Sequence, residues 1–205
     1  TLGYPPQPSE VMSLAIGQGP NDLTLLKLAH FYSAIAGNGK APEPYLVVTD
    51  SAGRGEGAID LGLSEEGLEA LWAGLAKVTQ AGGTGWLSSL EHWQLYGKTG
   101  TAQNTHGPDH GLFVGFSGKP GGPPEILVAA IIEHGLHGSD VAPIVAKVIN
   151  HYLSRKHGIP VDPQPTLLER YESGRKLWGT YDQYPAPLVP LRGEAKPELP
   201  ESRAG

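Results

Sequence analysis

Between Thr24 and Gly39 the apolar residues Leu25, Leu28, Ala29, Tyr32, Ile35 and Ala36 return at intervals of three and four. That spacing lines one stripe of a helix, so a helix is predicted here, with Thr24 as its N-cap and Gly37 or Gly39 as its stop. A second helix is predicted from Ser64, whose hydroxyl caps the first turn while Glu65 and Glu66 sit at the positive end of the dipole. Leu68, Leu71, Trp72, Leu75 and Val78 form its apolar face, and Gly82-Gly83 is expected to end it. Between the helices, Pro44-Tyr45-Leu46-Val47-Val48-Thr49 is short and β-branched and predicts a strand, followed by a glycine-rich turn over 50–57.

After Gly85 the period changes. Three strand-like runs follow, His92 to Gln103, Gly111 to Ser117 and Ile126 to Glu133, separated by Gly, Pro, Asn and Asp clusters. They predict an antiparallel meander. The last run is continuously apolar, as in a strand covered by helices on both faces, and is expected to be central in its sheet. Ser139-Asp140 then opens a third helix that tolerates Pro143 in its first turn and ends near His157-Gly158. Its expected packing stripe is Val141, Ile144, Val145, Val148, Ile149, Tyr152 and Leu153. The predicted fold is α/β of the α+β type, a central antiparallel sheet with helices on both faces, over residues 1–158. From 159 to 205 prolines recur without periodicity, and this stretch is expected to be a largely disordered tail.

Composition removes several function classes. Fifteen Lys and Arg against 21 Asp and Glu give a net charge of -6, which argues against a nucleic-acid partner. With no cysteine, disulfide scaffolds, thiol catalysis and cysteine-built zinc sites are excluded. The longest apolar run, Ile126 to Ile132, falls far short of the roughly 20 residues that span a bilayer. The first residues, Thr1-Leu2-Gly3-Tyr4-Pro5-Pro6, carry neither an initiator Met nor the basic and apolar regions of a signal peptide, so the chain is expected to start in mid-protein.

The segment richest in chemistry is Tyr96-Gly97-Lys98-Thr99-Gly100-Thr101-Ala102-Gln103. Lys98 offers a fixed positive charge for a carboxylate, Thr99 and Thr101 offer hydroxyl donors, and Gly100 lets another backbone approach closely. Strand alternation puts Lys98 and Thr99 on opposite faces. Both serve one ligand only if it lies along the strand edge, as an extended peptide does when it adds itself as a strand. A nucleotide-binding P-loop is rejected, because His92 stands where its first glycine is required. The second candidate segment, Ser13-Leu14-Ala15-Ile16-Gly17-Gln18-Gly19, reads locally as a glycine-rich turn into the first helix. Among the eight histidines, His106 and His110 are separated by Gly107 and Pro108, so they do not share a helix face as metal ligands, and no metal is expected. Trp72 and Trp86 are expected in the core, and Trp93 beside the groove along the Lys98 strand.

Taken together, these segments resemble the C-terminal part of the transpeptidase domain of a class B penicillin-binding protein. Ser13 to Gly19 resembles the family's SIGQG segment, and Thr24 to Ala29 resembles its TPLQLA helix start, with Leu25 and Lys27 in place of the usual Pro and Gln. Tyr96 to Gln103 resembles the GKTGTAQ strand, His110 to Phe116 resembles HAWFVGF, and Gly138 to Leu153 resembles the closing helix. The likeness runs collinearly from about Ser13 to Leu153. It implies the serine transpeptidase and β-lactamase-like architecture, here incomplete. It also implies cross-linking of D-Ala-D-Ala stem peptides through a serine acyl-enzyme, without a cofactor. By the same resemblance Lys98 and Thr101 are catalytic: Lys98 stabilises the site electrostatically, and the Thr101 N–H is an oxyanion donor. Lys98, Thr99, Gly100 and Thr101 are the substrate-binding set, holding the substrate carboxylate.

The family's nucleophile comes from a Ser-x-x-Lys segment, followed by Ser-x-Asn, both ahead of the Lys-Thr-Gly strand. This chain has no Ser-x-Asn, and its one Ser-x-x-Lys, Ser173-Gly174-Arg175-Lys176, lies after the strand in the polar tail. The chain alone is therefore expected to be inactive. The resemblance implies stem peptides, β-lactams and cell-wall elongation or division proteins as partners, and a location at the extracytoplasmic face of the cell membrane. A membrane anchor is expected only in a preceding N-terminal part. A β-lactam sensor or serine β-lactamase fragment, and a peptide-binding module without catalysis, are the alternatives.

Overall fold

The computed structural model describes residues 5, 7–15, 17–18, 23–48, 57–104, 106–135 and 137–159. The expected tail from 160 onward, with Ser173, lies outside them. Helix α1 (Pro8–Ala15) buries no residue, and it contains Ser13, Leu14 and Ala15, expected from sequence in a turn. Helix α2 (Leu25–Ala36) starts as predicted: the Thr24 hydroxyl accepts the Lys27 N–H at 3.2 Å. Helix α3 (Glu65–Lys77) is capped by Ser64, which accepts from the Gly67 N–H at 3.1 Å. It ends before Gly82-Gly83 because the chain folds back on its own last turn. The Gly85 N–H reaches the Val78 carbonyl at 2.8 Å, and a Cβ on Gly83 would meet the Lys77 carbonyl oxygen at 2.1 Å. The glycine pair serves this reversal rather than the helix stop.

The strand expected over Pro44–Thr49 does not form across its described residues, 44–48, where Leu46, Val47 and Val48 are exposed. Strand propensity expresses fit to a pleated, half-buried surface, and among the described residues no partner strand supplies one. The ladder in this region is instead β1 (Lys40–Ala41) against β2 (Ile59–Asp60), antiparallel, with Lys40 Nζ 3.1 Å from Asp60 Oδ2.

Strands β3 (Tyr96–Ala102), β4 (His110–Gly118) and β5 (Pro124–Ile132) form the expected antiparallel meander in the order β3-β4-β5. The central strand among the described residues is β4, and the apolar β5 lies at the edge. Its composition reflects cover on its two faces, by α2 on one side and by α4 (Gly138–Lys156) on the other, and says nothing about its lateral edge.

The sheet separates two apolar clusters. On one face Tyr96 stacks on Phe116 at 5.3 Å between ring centroids, and Trp72 packs edge-on to both, with Ile35, Leu75 and Ala76 completing the cluster. The Trp72 indole N–H donates to the Ile35 carbonyl at 3.1 Å, tying α3 to α2. On the other face Phe113, fully buried, packs with Leu95, Trp93 and the α4 residues Val141, Val145, Ile149 and Leu153. Ala142 and Ala146 are also buried, whereas Ile144, Val148 and Tyr152 of the expected stripe are exposed. Helix α4 seats Val141 and Val145 over strand positions with no side chain of their own. A Cβ on Gly111 would meet Val141 Cγ2 at 2.9 Å, and one on Gly115 would meet Val145 Cγ1 at 3.3 Å.

At the far end of α4, Lys156 and His157 close on Glu125 of β5 at 2.8 and 2.9 Å. The Lys156 ammonium, and after it the His157 ring and the Lys119 N–H, hold the Glu125 carboxyl below the usual glutamate range. A depressed carboxylate contributes stability that is complete above its unfolded-state pKa and is lost as pH falls through the lower folded-state value. Glu125→Gln is expected to cost about 1–2 kcal/mol at neutral pH. It should also flatten the acid limb of the stability profile, as followed by urea denaturation at a series of pH values.

Candidate active site

Strand β3 is bonded to β4 along one side, and among the described residues no strand lies along the other. Cross-strand register places Thr99 opposite Phe113 and Thr101 opposite Gly111, on the α4 face, while Lys98 opposite Val114 and Gly100 opposite Leu112 lie on the α2 and α3 face. Lys98 and Thr99 therefore occupy opposite faces, as alternation requires. Lys98 is exposed, and Thr99, Gly100 and Thr101 are half-buried.

Each predicted residue has a definite partner. The Lys98 ammonium curls over the strand to donate to the Thr99 carbonyl at 2.6 Å. The Thr99 hydroxyl shares a hydrogen bond of 2.8 Å with the Thr84 hydroxyl. The Thr101 carbonyl accepts from Gln18 Nε2 at 3.0 Å, across 83 residues of sequence. The close approach at Gly100 is made on the α4 face, by the first residue of α4, and rests on that residue's own lack of a side chain: a Cβ on Gly100 would point to the other face and meet Leu112 Cβ at 3.4 Å. A Cβ on Gly138 would lie 2.6 Å from both Gly100 N and Gly100 O, and 2.3 Å from the Leu112 carbonyl oxygen.

The two carbonyls reached by side chains, those of Thr99 and Thr101, are two residues apart. That is the repeat with which an antiparallel strand turns its backbone groups away from its partner. The edge of β3 thus carries backbone donors and acceptors, a flexible ammonium from one face and two hydroxyls from the other. Such an edge suits an extended chain ending in an anion.

Sequence reasoning missed Thr84 and gave Gln18 no individual role. Thr84 stands in Gly82-Gly83-Thr84-Gly85, which reads only as a turn, and Gln18 is a polar residue beside a glycine of positive φ. Neither carries a local signal, because each acts on β3 from a distant segment. Trp93 does not line a groove: it is 2% exposed in the Phe113 cluster, and its indole N–H donates to Asn150 Oδ1 at 3.1 Å. The histidines organise the loop between β3 and β4. His110 Nδ1 accepts the His134 N–H at 2.9 Å, and His134 Nδ1 lies 3.1 Å from the Pro108 carbonyl. Among the described residues no group of three or more His, Asp or Glu side chains is placed to hold a metal ion. No helix among them is long and apolar enough to cross a membrane.

The penicillin-binding protein transpeptidase domain matches residues 2–150. This chain belongs to that family. Among penicillin-binding relatives, peptidoglycan D,D-transpeptidase MrdA of Acinetobacter baumannii is 30% identical over 177 residues, covering 75% of this chain and 26% of the relative. PbpB of Mycolicibacterium smegmatis is 25% identical over 183 residues, covering 77% and 28%. Among solved structures, Pseudomonas aeruginosa PBP2, in complex with WCK 5153, superposes with a TM-score of 0.63 at 32% identity, covering 74% of this chain and 34% of that one. Penicillin-binding protein A from M. tuberculosis, an imipenem acyl-enzyme complex, superposes with a TM-score of 0.54 at 26% identity, covering 69% and 33%. The chain spans about a quarter to a third of the length of these relatives. Its mixed fold, with helices on both faces of an antiparallel sheet, is that of penicillin-binding transpeptidase domains.

The Gly138 contact is the part of this site most sensitive to a single methyl group, since the atoms it would strike are backbone. Gly138→Ala is expected to destabilise the fold by about 1–3 kcal/mol. Amide resonances of Gly100 and Leu112 should shift while those of α3 stay in place, as read from backbone NMR spectra.

Proposed function

We propose that this chain is the substrate-binding portion of a peptidoglycan D,D-transpeptidase that cross-links D-Ala-D-Ala stem peptides. The observation that carries this reading is the open edge of β3, with Lys98, Thr99 and Thr101 reaching it from both faces, in a chain of the penicillin-binding transpeptidase family. The stem peptide lies along β3 as an added strand. Its terminal carboxylate takes hydrogen bonds from the Thr99 and Thr101 hydroxyls, with the Lys98 ammonium supplying positive charge beside it. A serine hydroxyl from a Ser-x-x-Lys segment of the parent protein attacks the carbonyl between the two D-alanines. The C–N bond breaks, the terminal D-alanine leaves with the serine's proton, and a serine ester remains. The amine of a second stem peptide then displaces the serine and forms the cross-link.

The Thr101 N–H faces the same edge as its carbonyl, because in an antiparallel strand both groups of one residue point the same way. It is the donor proposed for the oxyanion that develops on the attacked carbonyl. No step calls for a cofactor. β-Lactams acylate the same serine, and the protein works at the extracytoplasmic face of the cell membrane beside elongation or division proteins.

The 205-residue chain alone is expected to take no covalent label from a fluorescent penicillin, as read by gel fluorescence. A labelled band would overturn the assignment of the nucleophile to another segment, and loss of that band in Ser173→Ala would locate it in the tail. In the full-length protein, Lys98→Ala is expected to slow β-lactam acylation by about 100-fold or more with an unchanged melting temperature. Acylation at the normal rate would remove Lys98 from the mechanism.

A further inference from the structure

Gln18 is the residue whose tie to the site is least explained by folding. Helix α1, just ahead of it, has no fully buried residue. Yet the Gln18 side-chain amide reaches 83 residues along the sequence to donate, at 3.0 Å and partly buried, to the Thr101 carbonyl. That carbonyl lies on the open edge of β3, one residue's peptide away from the N–H proposed to bind the oxyanion.

An edge strand has its backbone fixed on one side only, by the ladder to its partner. At Thr101 the ladder partner is Gly111, which adds no side chain to grip the strand, and from the α4 side Gly138 presses on the neighbouring residue, Gly100. The ladder holds only the inner end of each peptide flanking Thr101, through Gly100 opposite Leu112 and Ala102 opposite His110. An amide donor on the Thr101 carbonyl adds a hold on the outer end of the peptide that follows Thr101, and it leaves the N–H of the same residue to a ligand, since a carboxamide NH₂ is bound to the carbonyl and not to the N–H. The carbonyl keeps a second lone pair for a ligand N–H.

We infer that Gln18 is a positioning residue for the transpeptidase site: by donating to the Thr101 carbonyl it sets the orientation of the Thr101 peptides, and with them the oxyanion donor. The inference rests on the proposed function above. Small errors in donor direction are felt mostly where charge develops, so the acylation step depends on this bond more than ligand binding does.

The test uses the full-length protein and stopped-flow acylation by a fluorescent β-lactam. Gln18→Met keeps the side chain's length and removes the donor. It is expected to lower the acylation rate constant about tenfold with little change in the dissociation constant of the preceding complex. Gln18→Glu has an acceptor-only side chain when ionised and a donor when protonated. Its rate relative to wild type is therefore expected to match the Met variant near neutral pH and to climb as pH is lowered toward the glutamate range, while the Met ratio stays flat. In the 205-residue chain, Gln18→Met is expected to shift the amide nitrogen of Ala102, which shares a peptide with the Thr101 carbonyl.

Wild-type acylation rates in Gln18→Met would overturn the inference. So would equal, pH-independent losses in both variants, which would make the effect steric. A full-length wild-type protein that no β-lactam acylates would instead overturn the transpeptidase reading itself. That failure is recognisable because it precedes any comparison of variants.

Discussion

The close seating of α4 on bare backbone is the constraint on which the rest of the structure depends. Gly138, the first residue of that helix, touches Gly100 of β3 and Leu112 of β4 through main-chain atoms, with no space for even one carbon between them. From that point the helix runs along a sheet face cleared by Gly111 and Gly115, where Val141 and Val145 seat against the strands. The approach sets the depth of the Phe113 cluster, and Phe113 in turn fills the space over Gly97. A helix packed at this distance makes β3 a rigid edge rather than a loose one.

That rigidity has a direction. Strand β3 is held by β4 laterally, by α4 on one face and by the Trp72, Tyr96 and Phe116 stack on the other, so among the described residues its remaining side is the one available to a ligand. Its edge groups are satisfied by long or distant side chains: Lys98 on the Thr99 carbonyl, Gln18 on the Thr101 carbonyl, Thr84 on the Thr99 hydroxyl. An edge strand left bare would invite pairing with any other strand, and polar side chains over its carbonyls moderate that tendency while keeping the acceptors polar and near the surface. In the acyl transfer proposed for this edge, the positive charge and donors come from strand geometry and the nucleophile from another segment.

Much of this was legible in the residues. The caps at Thr24 and Ser64 are local hydrogen bonds, and the meander follows from three apolar runs separated by turn residues; both formed as expected. The strand bearing Lys98, Thr99, Gly100 and Thr101 was legible for the same reason, since alternation alone puts Lys98 and Thr99 on opposite faces. Expectations failed where a residue's environment comes from a distant segment. Among the described residues, Pro44–Val48 has strand-like residues but no strand beside it, and β5 has the composition of a central strand, with helices over its faces, while no strand lies along its outer edge. Ile144, Val148 and Tyr152 lie off the face of α4 that meets the sheet, which Val141, Val145, Ile149 and Leu153 share with Ala142 and Ala146.

The sequence by itself determined helices α2, α3 and α4, the caps at Thr24 and Ser64, the three-stranded meander, the absence of thiol chemistry and the strand on which the candidate site is built. Those properties depend on spacing along a few residues and on the presence or absence of whole residue types. The tertiary structure alone decided which strand backbone Gly138 meets, which face of α4 is buried, and that Gln18 and Thr84 converge on β3. Contacts between segments up to 83 residues apart leave no periodic trace in the chain, because each is set by how elements pack rather than by what precedes or follows the residue.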